Sequence, residues 1–334
     1  MTDMNADALT REAVANAVVT AGTARKRLVA MTAEQLLATE FPPREMLLGP
    51  WLPLKGLAMI YGRRGLGKTH VALGIAWAVA TGGEFLRWRA PAARRVVILD
   101  GEMSGESLQA RIAEIAGDTA GEALGRIRVI AADLQERSIN LAEAADQREL
   151  EPHLAGTDLV IVDNISTLAP YGRENEAESW QPVQTWGLAQ RRAGRTVLFI
   201  HHAGKDGAQR GTSRREDVLD SVLALREPPD YLPAQGARFC VHFEKARGFH
   251  GRDAEPFEAA FGPGGWTTRD LSDADAERAA TLRGEGLSVR EIAEAMGTSK
   301  SRVDRMLRRA EDKAGRTLAG RTMAEMARPA VPTP

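Results

Sequence analysis

Gly62-Arg63-Arg64-Gly65-Leu66-Gly67-Lys68-Thr69 is the stretch whose reading decides the fold. The apolar run Leu57–Tyr61 leads into it and the alanine-rich segment Val71–Ala80 leads out, so the order reads as strand, glycine loop, helix. Glycines at 62, 65 and 67 let the backbone curl until its N–H groups converge on phosphate oxygens. The following helix aims its positive end at the same anion. Lys68 is placed for the β- and γ-phosphates of a bound nucleotide, and the Thr69 hydroxyl for Mg²⁺. Arg63, Arg64, Leu66 and His70 complete the candidate nucleotide-binding stretch. The plain alternative is a glycine-rich turn that happens to match the pattern.

Outward from this loop, the 334 residues have room for one large core and a small extra domain. Hydrophobic content of 43% and charged content of 27% are those of an ordinary globular chain. A formal net charge of -1 gives no global pull toward nucleic acid or membrane, so any basic surface is local. The single cysteine, Cys240, excludes an internal disulfide framework and a cysteine-rich zinc site. No apolar run reaches the ~20 residues that span a bilayer, and Met1–Thr10 lacks a signal pattern, so a cytoplasmic location is expected.

Apolar runs alternate with helical stretches from residue 56 onward. Strands are predicted at Leu57–Tyr61, Val96–Asp100, Arg128–Ile130, Leu159–Asp163, Thr196–His201, Val218–Leu225 and Arg238–Lys245, with helices at 69–80, 105–116 and 176–193. Near-continuous Val, Ile and Leu in the early strands mark burial on both faces, and the alternation predicts an α/β domain with a mostly parallel sheet. Beyond about 200 the strands follow one another directly, which predicts an antiparallel extension. Pro256–Trp266 reads as the close of that domain. Residues 1–44 read as an alanine-rich helical arm or tail, 45–268 as the main α/β domain that carries the phosphate loop, 269–315 as a small all-α domain and 316–334 as a disordered tail.

Three further strand ends carry chemistry. Asp163 closes Leu159-Val-Ile-Val and is placed for the Mg²⁺ shell beside Thr69. Glu102 stands just past Val96-Val-Ile-Leu-Asp100, where a general base can polarise the attacking water; an exposed turn residue is the plain alternative. His201 and His202 end a third strand, and His201 is the candidate hydrogen-bond donor to the γ-phosphate. Neighbouring strand residues face opposite sides of a sheet, which argues against the pair sharing a metal.

Gly62–Thr69, Val96–Glu102, Leu159–Asp163 and Leu198–Ala203 together resemble RecA-type ATPases, in particular the RepA-like replicative helicases and their KaiC-like and AAA_25-type relatives. The resemblance spans about 45–262, and Glu102 carries most of it. In AAA+ enzymes the base follows the Walker B aspartate, whereas here Asn164 follows Asp163. The resemblance implies a RecA-like fold, ATP and Mg²⁺, and a homo-oligomer, a ring such as a hexamer or a filament, whose sites are completed in trans by basic residues. Arg210, in Gln209-Arg-Gly-Thr-Ser213, is similar in placement to the RepA arginine finger; Lys245 and Arg247 resemble the late-strand Lys/Arg pair of the wider helicase group. It further implies that Lys205, Arg210, Arg214 and Arg215 lie in a loop that faces a central channel and touches single-stranded DNA. A solvated basic hairpin is the alternative reading of these charges.

Gly286–Val303 resembles the helix-turn-helix of resolvases and many repressors. Three short helices are predicted at Asp273–Arg283, Val289–Met296 and Lys300–Ala310, with a Ser288/Glu291 capping box and an N-cap at Ser299. Ala293 is small enough for close helix approach, Gly297 suits a turn at positive φ, and Ile292, Met296, Val303, Met306, Leu282 and Leu287 make a miniature core. Gly297–Arg316 holds seven Lys or Arg against three Asp or Glu, so Ser299, Lys300, Ser301, Arg302, Arg305 and Arg309 are the candidate duplex-DNA contacts. A trihelical module that packs on the ATPase or another protein is the alternative. Three functions compete: a DNA-stimulated ring motor, an ATP-dependent DNA-binding switch that unwinds nothing, and a regulator with a vestigial nucleotide fold. Lys68, Thr69, Glu102 and Asp163 all being present disfavours the third.

Overall fold

Runs of Val, Ile and Leu with no polar alternation build a sheet buried on both faces, and the phosphate loop hangs from its middle. The structure is a computed structural model that describes residues 29–117, 121–169, 176–204 and 217–312. The chain divides into two units between Pro43 and Arg44. Within the first lies helix α1 (Ala33–Ala38), begun by a reciprocal Thr32/Gln35 capping box and burying none of its residues.

The second unit opens with the small antiparallel pair β1 (Met46–Leu48) and β2 (Leu52–Pro53), then β3 (Leu57–Gly62) and helix α2 (Lys68–Thr81). A second small pair follows, β4 (Glu84–Phe85) with β5 (Trp88–Arg89). Next come β6 (Val96–Asp100), α3 (Gly105–Ala116), α4 (Gly121–Gly125), β7 (Ile127–Ala131), α5 (Ala144–Leu150), β8 (Leu159–Asp163), α6 (Ile165–Leu168), α7 (Glu176–Arg192) and β9 (Thr196–His202). The sheet finishes with β10 (Ser221–Arg226), β11 (Arg238–Ala246), β12 (Phe257–Gly262) and β13 (Gly265–Asp270). Its order is β13-β12-β11-β10-β3-β9-β8-β6-β7. The strands from β10 to β7 in that order pair in parallel, and β11, β12 and β13 extend it antiparallel.

Two cores flank the sheet. On one face Ile60, Ile98, Ile161, Leu198 and Ile200 pack with Val71, Ile75 and Val79 of α2. On the other Met59, Val97, Val160, Val197 and Phe199 pack with Trp180, Val183 and Trp186 of α7. Successive strand residues therefore serve opposite layers, as the two-residue repeat of a strand requires.

Two predicted boundaries differ from the structure. Pro256–Trp266, predicted as the close of the domain, is the β12–β13 hairpin, which continues as strand to Asp270, with Gly262 opposite Gly265 across the Pro263-Gly264 turn. The strand predicted from Val218 starts only at Ser221, because the buried Asp220 carboxylate accepts from the Leu57 N–H at 3.0 Å and from Arg44 at 2.7 Å. Those contacts hold the backbone in a turn. Among the described residues no helix is long and apolar enough to cross a membrane.

Asp270 ends β13 and leads directly into α8 (Leu271–Gly284), followed by α9 (Val289–Ala295) and a helix α10 described over 300–312. Ala276, Ala279, Ile292, Ala293, Val303 and Met306 form their shared core, with Leu282, Leu287 and Met296 at its margin. These helices belong to the same unit as the sheet. A buried ionic cluster makes the join: Glu258 of β12 accepts from Arg238 at 2.9 Å, from Arg269 at 2.7 Å and from Arg278 of α8. Asp230 accepts from Arg238 at 3.0 Å and from Arg278 at 2.6 Å. Burial alone would raise the Glu258 carboxyl, but the surrounding guanidinium groups outweigh it and hold the group below the usual carboxylate range. Glu258→Ala strips the shared acceptor from two buried arginines, so a loss of about 3–5 kcal/mol in chemical denaturation is expected. A change within ~0.5 kcal/mol would show that the cluster is not what fixes α8.

Candidate active site

Register brings the working residues together. Gly62 lies opposite His202 and Asp100 opposite Asp163, so the carboxyl ends of β3, β9, β8 and β6 form one edge. Crevices at such an edge are where open α/β sheets bind ligands. Gly65 and Gly67 have φ of +78° and +93°. A Cβ at Gly67 would also stand 2.9 Å from Ala237 Cβ, so both conformation and space demand glycine there. Gly67 is the N-cap of α2 and offers no side-chain cap, which leaves the first-turn N–H groups for an anion.

The Lys68 ammonium donates to the carbonyl oxygens of Gly62 at 3.0 Å and Arg63 at 2.7 Å, folded onto the loop it belongs to. Burial lowers its pKa to about 8, against the opposing pull of Asp163 and Glu102. The sign of the consequence is definite. In the empty protein Lys68 loses its charge above pH 8, whereas a bound triphosphate favours the charged form and raises that pKa. Nucleotide binding above pH 8 therefore takes up a proton, and affinity is expected to fall by up to about tenfold per pH unit there. Calorimetric titration in buffers of different ionisation enthalpy checks it; equal affinity at pH 7.5 and 9.5 would contradict it.

Asp163 is 4% exposed, and its pKa is raised to about 7, first by burial and then by the charges of Asp100 and Glu102. Thr69 hydrogen-bonds to it, while its Oδ2 is buried without a hydrogen-bond partner. A buried carboxylate oxygen left over, beside a hydroxyl and among like charges, fits a divalent cation. Mg²⁺ takes few protein ligands beside phosphates and water, which one carboxylate and one hydroxyl can provide.

Glu102 is anchored twice. Its backbone N–H donates to Asp100 Oδ1 at 3.1 Å, and Met103 N–H donates to the same oxygen at 2.7 Å. Its Oε1 lies 3.0 Å from His202 Nε2, and Asn164 donates to the same carboxylate. Burial pushes this carboxyl up, but the hydrogen bonds from His202 and Asn164 and the Lys68 charge prevail and hold it below the ordinary glutamate value. His202 is lowered, first by burial, so the imidazole is neutral at pH 7.

The other predicted residues fall as follows. Leu66 is buried; Arg63 and Arg64 are exposed, with Arg63 paired to Glu227 at 3.1 Å; the His70 ring packs on Phe261 at 5.7 Å. His201 is not the histidine at the carboxylates. It lies level with Tyr61, in the strand row of Phe199 and Val197 that packs on α7, whereas His202 follows Ile200 in the row facing α2. Lys245 pairs with Val222, which is level with Met59, and Arg247 N–H bonds to Asp220 O; both stand away from Gly62 of the same chain. Lys205, Arg210, Arg214 and Arg215 lie outside the described residues. At the start of α10 the Ser299 hydroxyl accepts from Arg302 N–H at 3.3 Å and contacts Ser301, and Lys300 is exposed. Arg302, Arg305 and Arg309 form one stripe along a groove, with Arg302 3.7 Å from Asp275 and Arg309 2.5 Å from Asp273. Sequence reasoning named His202 and Asn164 but gave neither a role in the site. The doubled histidine was the available signal for the first, and the second had none.

A phosphate loop that opens a helix at the centre of a mostly parallel sheet, with acidic residues on the neighbouring strand ends, defines a P-loop ATPase with a RecA-like core. The chain belongs to the AAA_25 family, the AAA domain, whose model matches residues 23–208, more than half its length. No curated protein sequence matches it. Among solved structures it is similar to a KaiC-like protein from the hyperthermophilic archaeon Pyrococcus horikoshii OT3, at 18% identity and TM-score 0.49, over 67% of this chain and 93% of that one.

Proposed function

We propose that this protein hydrolyses ATP with Mg²⁺ and binds DNA, acting as a RepA-like ring motor on single strands. The observation that carries the hydrolytic half is the convergence of Lys68, Thr69, Asp163 and Glu102 on one sheet edge. Loop N–H groups and Lys68 bind and orient the triphosphate, Lys68 leaving the Gly62 and Arg63 carbonyls to do so. Asp163 and the Thr69 hydroxyl would hold Mg²⁺, which when bound would screen the phosphate charge. Glu102, ionised at neutral pH, accepts the proton of the attacking water. The water oxygen bonds to the γ-phosphorus as the bridging P–O bond breaks, releasing ADP and phosphate. Arg210, Lys245 and Arg247 are assigned to a neighbouring copy's site, and Lys205, Arg214 and Arg215 to single-stranded DNA, on the family resemblance.

Duplex DNA is assigned to α8–α10 through Ser299, Lys300, Ser301, Arg302, Arg305 and Arg309. The aspartates beside Arg302 and Arg309 temper that charge, so contact with phosphates rests most on Lys300 and Arg305. The ionic cluster that fixes α8 to β12 favours a second reading, an ATP-dependent DNA-binding switch, because a helical module held against the ATPase sheet suits site binding better than procession. Unwinding of a forked DNA by the full chain with Mg·ATP separates them. Strand displacement supports the motor. ATP hydrolysis with nucleotide-dependent duplex binding and no displacement supports the switch, and absence of hydrolysis overturns both.

A further inference from the structure

Asn164 is fully buried and His202 5% exposed, two polar side chains enclosed at the carboxyl edge of the sheet. Their polar atoms meet at Glu102, whose side chain is 40% exposed and, among the described carboxylates of the site, is the one open to solvent. The Asn164 amide is oriented without ambiguity: its Oδ1 accepts from the N–H groups of Ser166 at 2.8 Å and Thr167 at 3.3 Å, so Nδ2 is the end facing His202 and Glu102. Nδ2 and His202 Nε2 are 3.1 Å apart. With the imidazole neutral, both are donors when the proton sits on Nε2, and both point to the carboxylate; Nδ1 is then bare, and it is indeed buried without a partner. The opposite tautomer would let a bare Nε2 accept from Asn164 Nδ2, but would set that same lone pair against a carboxylate oxygen and strand an N–H in the interior.

We infer that His202 and Asn164 are positioning residues for hydrolysis: two donors from neighbouring strand ends pin one side of the Glu102 carboxylate and leave its other oxygen to receive the proton of the attacking water. This inference rests on Glu102 being the general base. Gly62 lies opposite His202 in the sheet and carries no side chain, so the imidazole stands between the phosphate loop and Glu102. The Glu102 backbone is already fixed through Asp100, and without the two donors the remaining freedom is in its side-chain torsions. A displacement of about 1 Å at such a group costs on the order of 10²-fold in rate.

The test compares His202→Leu, which fills the site without a donor, with His202→Gln, whose amide N–H replaces Nε2–H, in the full-length protein, with Glu102→Gln alongside. Expected are a ~10²-fold lower kcat for the leucine variant, recovery of most of that loss by glutamine, and Mg·ATP affinity within about twofold of the parent for both. Unchanged kcat in the leucine variant, or a glutamine variant no better than leucine, overturns the inference. So does a parallel fall in nucleotide affinity, which marks a structural role. A Glu102→Gln protein that turns over normally removes the base itself; an inactive Glu102→Gln beside a fully active His202→Leu removes only the positioning role.

Discussion

Glu102→Gln protein is expected to bind Mg·ATP as tightly as the parent and to hydrolyse it on the order of 10²–10⁴-fold more slowly. The amide occupies the same volume and can still meet an N–H donor through its oxygen, so the packing around His202 and Asn164 survives. What it cannot do is accept a proton from water. The position is half-exposed, and its carboxyl is kept ionised by the donors around it, so the substitution removes basicity rather than structure. Single-turnover hydrolysis after rapid mixing gives the rate, and equilibrium binding of a labelled nucleotide gives the affinity. A variant that hydrolyses at the parent rate means another group takes the proton.

Lys68→Ala acts on the other term. The ammonium is buried and donates to two loop carbonyls, and on nucleotide binding it exchanges them for phosphate oxygens. Charge-assisted hydrogen bonds contribute about 1.5–3 kcal/mol each, so losing two weakens binding by roughly 10²–10⁴-fold. Turnover disappears with binding rather than separately from it, the reverse of the pattern at Glu102. Nucleotide-induced stabilisation in thermal unfolding reads the effect directly: the parent shifts with Mg·ATP, and the variant is expected not to shift. A retained shift would place the triphosphate elsewhere.

The parallel sheet and its phosphate loop were legible because both leave a local signature. Glycines at fixed offsets between an apolar run and a helix have few other uses, and strands buried on both faces show as unbroken Val, Ile and Leu. That same uniformity hid which histidine meets Glu102. Val197, Phe199 and His201 serve one layer and Leu198, Ile200 and His202 the other, yet both rows are apolar up to the histidines. Side assignment needed the register with Gly62. Asn164 was hidden for another reason: in the sequence it only marked the absence of a base after Asp163, in the structure it caps α6, and only the fold carries its amide to Glu102. The β12–β13 hairpin was masked by its Gly-Pro-Gly-Gly turn, which resembles a chain exit as much as a reversal. The clasp among Arg238, Arg269, Arg278, Glu258 and Asp230 joins residues 20 and 48 positions apart, beyond any local pattern.

The most direct measurement is a crystal structure of the Glu102→Gln protein with Mg·ATP. The expected result is a triphosphate wrapped by Gly62–Thr69, with Mg²⁺ beside Thr69 and Asp163 and the residue-102 side chain, still held by His202, facing a water next to the γ-phosphorus. A residue-102 side chain turned away from the terminal phosphate, with a different carboxylate against that water, would contradict it.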